Sequence, residues 1–246
     1  MPWQALSKLK TDELREMFDT ERQEALSKAA ASRHWGKLRE GLTALGFDKC
    51  WYTEAKIGAG DAQVEHFRPK RPNAPGGAQS HGGYWWLAFD TANYRLAASI
   101  PNRSKSNDFP LFGSRAVAEG DSLDDELPLL LDPCDAHDVD LLTFGDAGVP
   151  KPAPFGTVSD AERVEYTIDR CLNAPAVERG REAAWSSARN AFRAWAMVQP
   201  MAAISPGARA KANGAATRMK EMVRADAPYS SVAAAHLEQL RAEKAS

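Results

Sequence analysis

Apolar residues recur at helical spacing at both ends of the chain and lose that spacing in the middle. Near the start, Leu14, Met17 and Phe18, then Ala25, Leu26 and Ala29, return every three or four positions, as on one side of a helix. Thr11, followed by Asp12, Glu13 and Leu14, has the make-up of a helix start, with acidic residues meeting the positive end of the helix dipole. HWGKLREGLTALGF predicts a second or extended helix, with Trp35, Leu38, Leu42 and Leu45 on one side and Gly46 as its C-cap.

From Cys50 to about Pro150 the texture changes. Gly, Pro, Asn, Asp and Ser cluster between short apolar runs, and aromatics gather in GGYWWLAFDTANYRL. Such loop-rich stretches carry sites more than bulk core. Asn73–Gly83 predicts a flexible loop between two strands, and ELPLLLDPCD a short buried strand ended by a turn at Asp132-Pro133.

After PKPAPFGTVSD the helical period returns. Ser159 predicts a helix cap, with propensity weakened further on by Tyr166, Thr167 and Ile168. ERGREAAWSSARNAFRAWAMV is amphipathic, with Ala184, Trp185, Ala188, Phe192, Trp195 and Val198 near one face. ARAKANGAATRMKEMVRAD and SVAAAHLEQLRAEK read as two further helices. The pattern gives an α+β chain in three parts: a helical segment over 1–49, a central domain over 50–150 and a helical region over 151–246.

Composition changes this picture little. A chain of 246 residues is long enough to bury a full core, and 43% hydrophobic with 26% charged residues is ordinary for a globular protein. No apolar run approaches the ~20 residues of a membrane span, and MPWQALSKLKTDEL lacks the build of a secretory signal, so a cytoplasmic protein without membrane contact is expected. A net charge of −2 argues against a surface that grips nucleic acid everywhere, though not against a local basic groove. Cys50, Cys134 and Cys171 form no CxxC pair and read as isolated buried thiols.

Candidate chemistry starts at VEHFRPKRP, Val64 to Pro72. A carboxylate and an imidazole at a strand end before a basic loop are commonly structural. The alternative is a metal site with its general base, beside a phosphate-binding loop. Neutral imidazole accepts a proton from water near pH 7, and hard oxygen ligands suit Mg²⁺ or Mn²⁺. Phosphodiester hydrolysis needs both an activated water and relief of phosphoryl charge.

In order along the chain, Glu65-His66, Asn93 in TANYRL, then Asn102 and Lys105 in IPNRSKSN resemble the HNH nuclease motif. In that family a hairpin and a helix, the ββα-metal unit, grip one divalent ion. The resemblance implies Glu65 and Asn102 as ligands of Mg²⁺ or Mn²⁺ and His66 as general base. Asn93 would hold the loop and orient the His66 ring, with Lys105 one turn beyond Asn102. Arg68, Lys70, Arg71 and Arg103, with Lys105, would meet DNA phosphates, giving position and salt dependence without sequence reading. The NRSK stretch also resembles the HNH domain of RNA-guided DNA nucleases.

A wider resemblance covers about Cys50 to Gly148 through CWYTE, VEHFRPK, GGYWWLAFDTANYRLA, NRSKSNDFPL and LLLDPCDAHDVDLLTF. It is to the HNH subunits of bacterial anti-phage systems of the Septu and retron-associated type. It implies DNA cleavage alongside an ATPase or sensor subunit, with the flanking helices as docking surfaces or as plain core. Many family members frame the site with zinc on two CxxC pairs. Here those positions hold Cys50, Thr53, Ala98 and Pro101, so structural zinc is not expected. Packing by Trp51, Tyr52, Tyr84, Trp85, Trp86 and Phe89 would replace it.

Glu54 reads as a salt-bridge partner or an aid to the metal, His81 as solvated in the Gly-rich loop, and His137 as a surface turn residue. His34 and His236 lie in predicted helices. Two other readings stand beside a DNA endonuclease: a non-catalytic HNH-fold DNA-binding or scaffold subunit, and an HNH nuclease acting on RNA.

Overall fold

A computed structural model describes residues 2–58, 60–73, 79 and 81–245, and shows a chain of mixed helix and sheet. Much of the loop expected over Asn73–Gly83, at 74–78 and 80, lies outside the described residues.

Four short helices replace the two expected at the start: α1 (Trp3–Arg15), α2 (Asp19–Ser27), α3 (Ala29–Gly36) and α4 (Arg39–Leu45). Thr11 lies inside α1 rather than at a start, and its hydroxyl bonds back to Ser7 O at 3.2 Å. What draws the helix upstream is Trp3, stacked on His34 and donating its indole N–H to His34 O at 3.0 Å. Phe18 and Leu45, expected on the apolar stripes, are exposed, because the helix breaks turn them away from the core. Gly46 does occupy the C-cap of α4.

The turn after Cys50 is closed by Glu54 N–H on Cys50 O and Cys50 N–H on Ala55 O, both at 2.9 Å. Trp51 N–H ties the turn to Leu96 O at 2.9 Å. The hairpin it braces pairs β1 (Gln63–His66) with β2 (Tyr94–Ala97), antiparallel, with Glu65 opposite Arg95 and His66 opposite Tyr94. The helix α5 (Ser99–Lys105) follows directly.

ELPLLLDPCD forms no strand. Leu130 and Leu131 are buried as expected, but Leu131 N–H donates to the Thr167 hydroxyl at 2.9 Å rather than to a neighbouring strand. The turn at Asp132-Pro133 is present, closed by Asp135 N–H on Asp132 O at 3.0 Å, and leads into α6 (Ala136–Asp140). A second hairpin, β3 (Leu142–Phe144) with β4 (Pro150–Pro152), lies at the boundary expected near residue 150.

Thr157, not Ser159, caps α7 (Val158–Thr167): its hydroxyl accepts from Asp160 N–H while Asp160 returns a bond to Thr157 N–H. Where Thr167 and Ile168 weaken the helix, α7 widens into a π-turn at Ile168–Leu172. The chain ends in three helices, α8 (Pro175–Val198), α9 (Pro206–Met222) and α10 (Ser230–Ala245).

Apolar clusters organise these elements, a small one being Leu131, Leu141 and Val164. Beside the first hairpin Leu14, Leu26, Trp35, Ala88, Phe89 and Tyr94 pack together. A second cluster there gathers Cys50, Tyr52, Phe67, Leu96, Phe109, Leu130 and Cys171. The terminal helices close on Ala188, Phe192, Met219, Ala233 and Leu237. Full burial of each large side chain contributes about 1.5–3 kcal/mol, so the hairpin is held by bulk packing in two clusters. Cys50 and Cys171 are buried thiols as expected, whereas Cys134 is exposed. Among the described residues no helix is long and apolar enough to cross a membrane.

Candidate active site

Successive strand residues point to opposite faces of a hairpin. At the end of β1 this separates Glu65 from His66. Glu65 faces Tyr52 and the helix α5, while His66 faces Trp35 and Tyr94, whose rings meet it edge-on at 4.9 and 5.0 Å.

Asn93, just before β2, holds the loop that leaves His66. Its Oδ1 accepts from Arg68 N–H at 2.7 Å, and its Nδ2 donates to Arg68 O at 2.9 Å and Leu87 O at 3.3 Å. Phe67 N–H adds a bond to Asn93 O at 2.9 Å. The loop's exit from the strand is thereby fixed by one buried amide.

His66 is buried, and its hydrogen bonds define its tautomer. Nε2 lies 3.0 Å from Ala88 O, which only accepts, so Nε2 carries the proton. Nδ1 then presents its lone pair to Lys70 Nζ at 3.2 Å. Burial first, and the charge of Lys70 second, hold the imidazole well below its usual pKa, so it is neutral at pH 7. Lys70 also sits 4.7 Å from the centre of the Trp35 ring. Burial, then Arg71, bring its own pKa down to about 8. Lys70 lines a cavity of about 360 Å³ walled also by Arg22, Pro72, Gly83 and Trp85. The basic nitrogen of His66 is thus one ammonium away from that cavity.

On the opposite face Glu65 Oε1 forms an ion pair with Lys105 Nζ at 2.6 Å, both side chains being only 2% exposed. Tyr52 donates its hydroxyl to Oε2 at 2.9 Å. Lys105 Nζ also donates to His66 O at 3.0 Å. Asn102 lies on the same face, its Nδ2 donating to Gln63 Oε1 at 2.6 Å. Mg²⁺ and Mn²⁺ bind oxygen ligands while keeping several waters. A carboxylate enclosed by protein and already matched with an ammonium leaves no room for that shell. Among the described residues no group of three or more His, Cys, Asp or Glu side chains is placed to hold a metal. In this arrangement the residues do not fit a divalent ion.

The basic residues divide. Arg68 is turned inward onto buried Glu126 at 2.6 Å, and Arg71 donates to the Ser27 hydroxyl at 2.9 Å. Arg103 is exposed on α5. Of the lesser candidates, His81 is not solvated but buried, its Nε2 2.8 Å from Asn107 O and its Nδ1 accepting from Gly83 N–H. Glu54 pairs with Lys49 at 3.6 Å and His137 is an exposed residue of α6. Tyr52, Tyr84, Trp86 and Phe89 are buried in the packing expected of them.

Trp35 over His66, Tyr52 on Glu65 and Glu126 on Arg68 shape the site without a local signal in the sequence. Each arrives from a distant segment, and only an amphipathic period marked Trp35 as inward. No family model, curated protein or solved structure matches the chain.

Proposed function

We propose that the chain is an HNH-type endonuclease that hydrolyses phosphodiester bonds of DNA in bacterial defence against phage. The observation that carries the reading is the Asn93 clasp: one buried amide bonded to both backbone groups of Arg68, at the junction of an antiparallel hairpin that leads into a short helix. It supports the loop-holding role that the resemblance implies for Asn93.

In this reading His66 accepts the proton of a water at Nδ1. Burial keeps that nitrogen unprotonated at neutral pH, and the Ala88 carbonyl fixes the ring through Nε2. Lys70 must first leave Nδ1 so that water takes its place. Exposed Arg103 and half-buried Arg71 then meet flanking phosphates. Dependence on Mg²⁺ or Mn²⁺, and work beside an ATPase or sensor subunit, belong to the proposal through the resemblance alone.

A second reading, a non-catalytic HNH-fold subunit that binds DNA or scaffolds a complex, is favoured by one observation: both reactive groups are enclosed, Glu65 under Lys105 and His66 under Lys70. Plasmid cleavage separates the two. The purified chain, alone and with its partner subunit, is incubated with Mg²⁺, Mn²⁺ or EDTA, beside His66→Ala and a matched RNA substrate. The nuclease reading expects metal-dependent cutting of DNA that falls about 100-fold or more in His66→Ala, the usual weight of a general base. No cutting by either form with the partner present leaves the scaffold, and cutting of RNA alone moves the substrate.

A further inference from the structure

We infer that the ammonium of Lys105 is the resident cation of the Glu65 site, standing where the HNH reading puts a divalent ion, so that the resting chain binds no Mg²⁺ or Mn²⁺ there. The inference rests on that reading for the choice of place. Its supporting observations belong to the ion pair itself.

The pair is closed on every side that the described residues show. Lys105 Nζ reaches Glu65 Oε1 at 2.6 Å and His66 O at 3.0 Å, and its remaining side lies 5.9 Å from the centre of the Phe109 ring. Each Glu65 oxygen has one donor, Lys105 or Tyr52. Burial holds the Tyr52 phenol well above its ordinary pKa, so it remains a donor to the carboxylate. One negative charge is met by one positive charge, with no exposed edge at which a hydrated ion could attach.

Helix geometry delivers the ammonium. Asn102 and Lys105 are three residues apart in α5, hence on one face, and that face lies against Gln63 and Glu65 of β1. Lys105 is the last residue of α5, and Ser106 turns the chain away at φ 53°. The side chain that the resemblance sets one turn beyond the metal ligand folds back onto the carboxylate.

A divalent ion and this ammonium cannot share Glu65. Two cations a few ångström apart in a dry interior repel strongly, and neither has water to screen the other. Binding is therefore an exchange, in which an ion enters only as Lys105 leaves. An unpaired buried carboxylate is also costly, so removing Lys105 alone should create a demand for a replacement cation.

Thermal melts and the Mn²⁺ electron paramagnetic resonance signal test this on the full chain without DNA. The wild type should melt at one temperature in Mg²⁺, Mn²⁺ and EDTA, and leave the Mn²⁺ signal that of the free ion. Lys105→Met should melt lower, recover at least half of the loss in Mn²⁺, and convert the free-ion Mn²⁺ signal to that of a bound ion, because the charge repulsion has been removed. The double variant Glu65→Gln with Lys105→Met should melt near the wild type and ignore metal. A Lys105→Met chain that folds only in Mn²⁺ carries the same meaning as recovery.

The inference is overturned if wild-type protein binds Mn²⁺ and Glu65→Gln abolishes it, or if folded Lys105→Met gains nothing from any divalent ion. The two failures stay distinguishable. A wild type that binds Mn²⁺ through Glu65 loses this inference and keeps the nuclease. A wild type that takes no ion and cuts no DNA beside its partner loses the nuclease and keeps Lys105 as the cation.

Discussion

Asn93 carries more of the hairpin than its size suggests, because each end of its amide is used. One oxygen accepts from Arg68 N–H and one nitrogen donates to Arg68 O and Leu87 O, with the residue 4% exposed. Asn93→Ala leaves those backbone groups unsatisfied and should cost about 2–3 kcal/mol in urea denaturation at neutral pH. Asn93→Asp keeps the acceptor but turns an oxygen toward two carbonyls. It should therefore cost at least as much as alanine despite its nearly equal shape, and a milder effect would show that the donor side carries nothing. Gly83 is constrained differently. It sits at φ 82°, and a Cβ there would lie 2.4 Å from the Arg71 carbonyl carbon. Neither the left-handed backbone nor the Arg71 main chain yields cheaply, so Gly83→Ala should cost about 2 kcal/mol or more by the same measurement.

At the scale of elements, what ties the C-terminal helices to the hairpin is a remote cap. Glu54, at φ 55° in the turn after Cys50, accepts from Ser231 N–H at 2.9 Å, Ser231 Oγ at 2.6 Å and Ser230 Oγ at 3.0 Å, at the first turn of α10. A carboxylate there satisfies a free helix N–H and meets the dipole. Glu54→Ala should cost about 1–2 kcal/mol and speed hydrogen exchange of the first α10 amides while leaving α9 unchanged. Uniform acceleration across both helices would remove the cap from the account. No local pattern announced this bond, since its partners are far apart in sequence. Periodicity did reveal α8, α9 and α10, because each has a continuous apolar face to bury. It missed β4, whose Pro150 and Pro152 read as breakers yet are tolerated in a two-stranded hairpin. It also missed the early start of α1, decided by the Trp3–His34 stack. The site divides in the same way. Glu65, His66, Asn93, Asn102 and Lys105 were legible as an ordered set, but not the strand alternation that sends Glu65 and His66 to different faces, nor their closure by Lys105 and Lys70.

Taken over the whole molecule, the histidines act together. His34, His66, His81 and His236 are all buried, and in each, burial is the first cause that lowers the pKa below that of a free imidazole. In the folded chain they stay neutral at a pH where the unfolded chain protonates them. Between the ordinary value near 6.5 and the lower folded values the unfolded state holds more protons, so stability rises with pH and falls as pH drops. Each group contributes at most about 1.4 kcal/mol per pH unit, so four give a limiting slope of about 5 kcal/mol per unit. His236 offers the cleanest check. Its ring lies tilted against Trp185 at 4.5 Å, and neither nitrogen has a partner within hydrogen-bond reach, the Gln239 amide donating instead to Glu243. Phenylalanine keeps the ring contact and has no proton to refuse. His236→Phe should therefore match or exceed wild-type stability at neutral pH and make the urea midpoint fall less steeply with acid. An unchanged slope would mean that the His236 ring already protonates in the folded state.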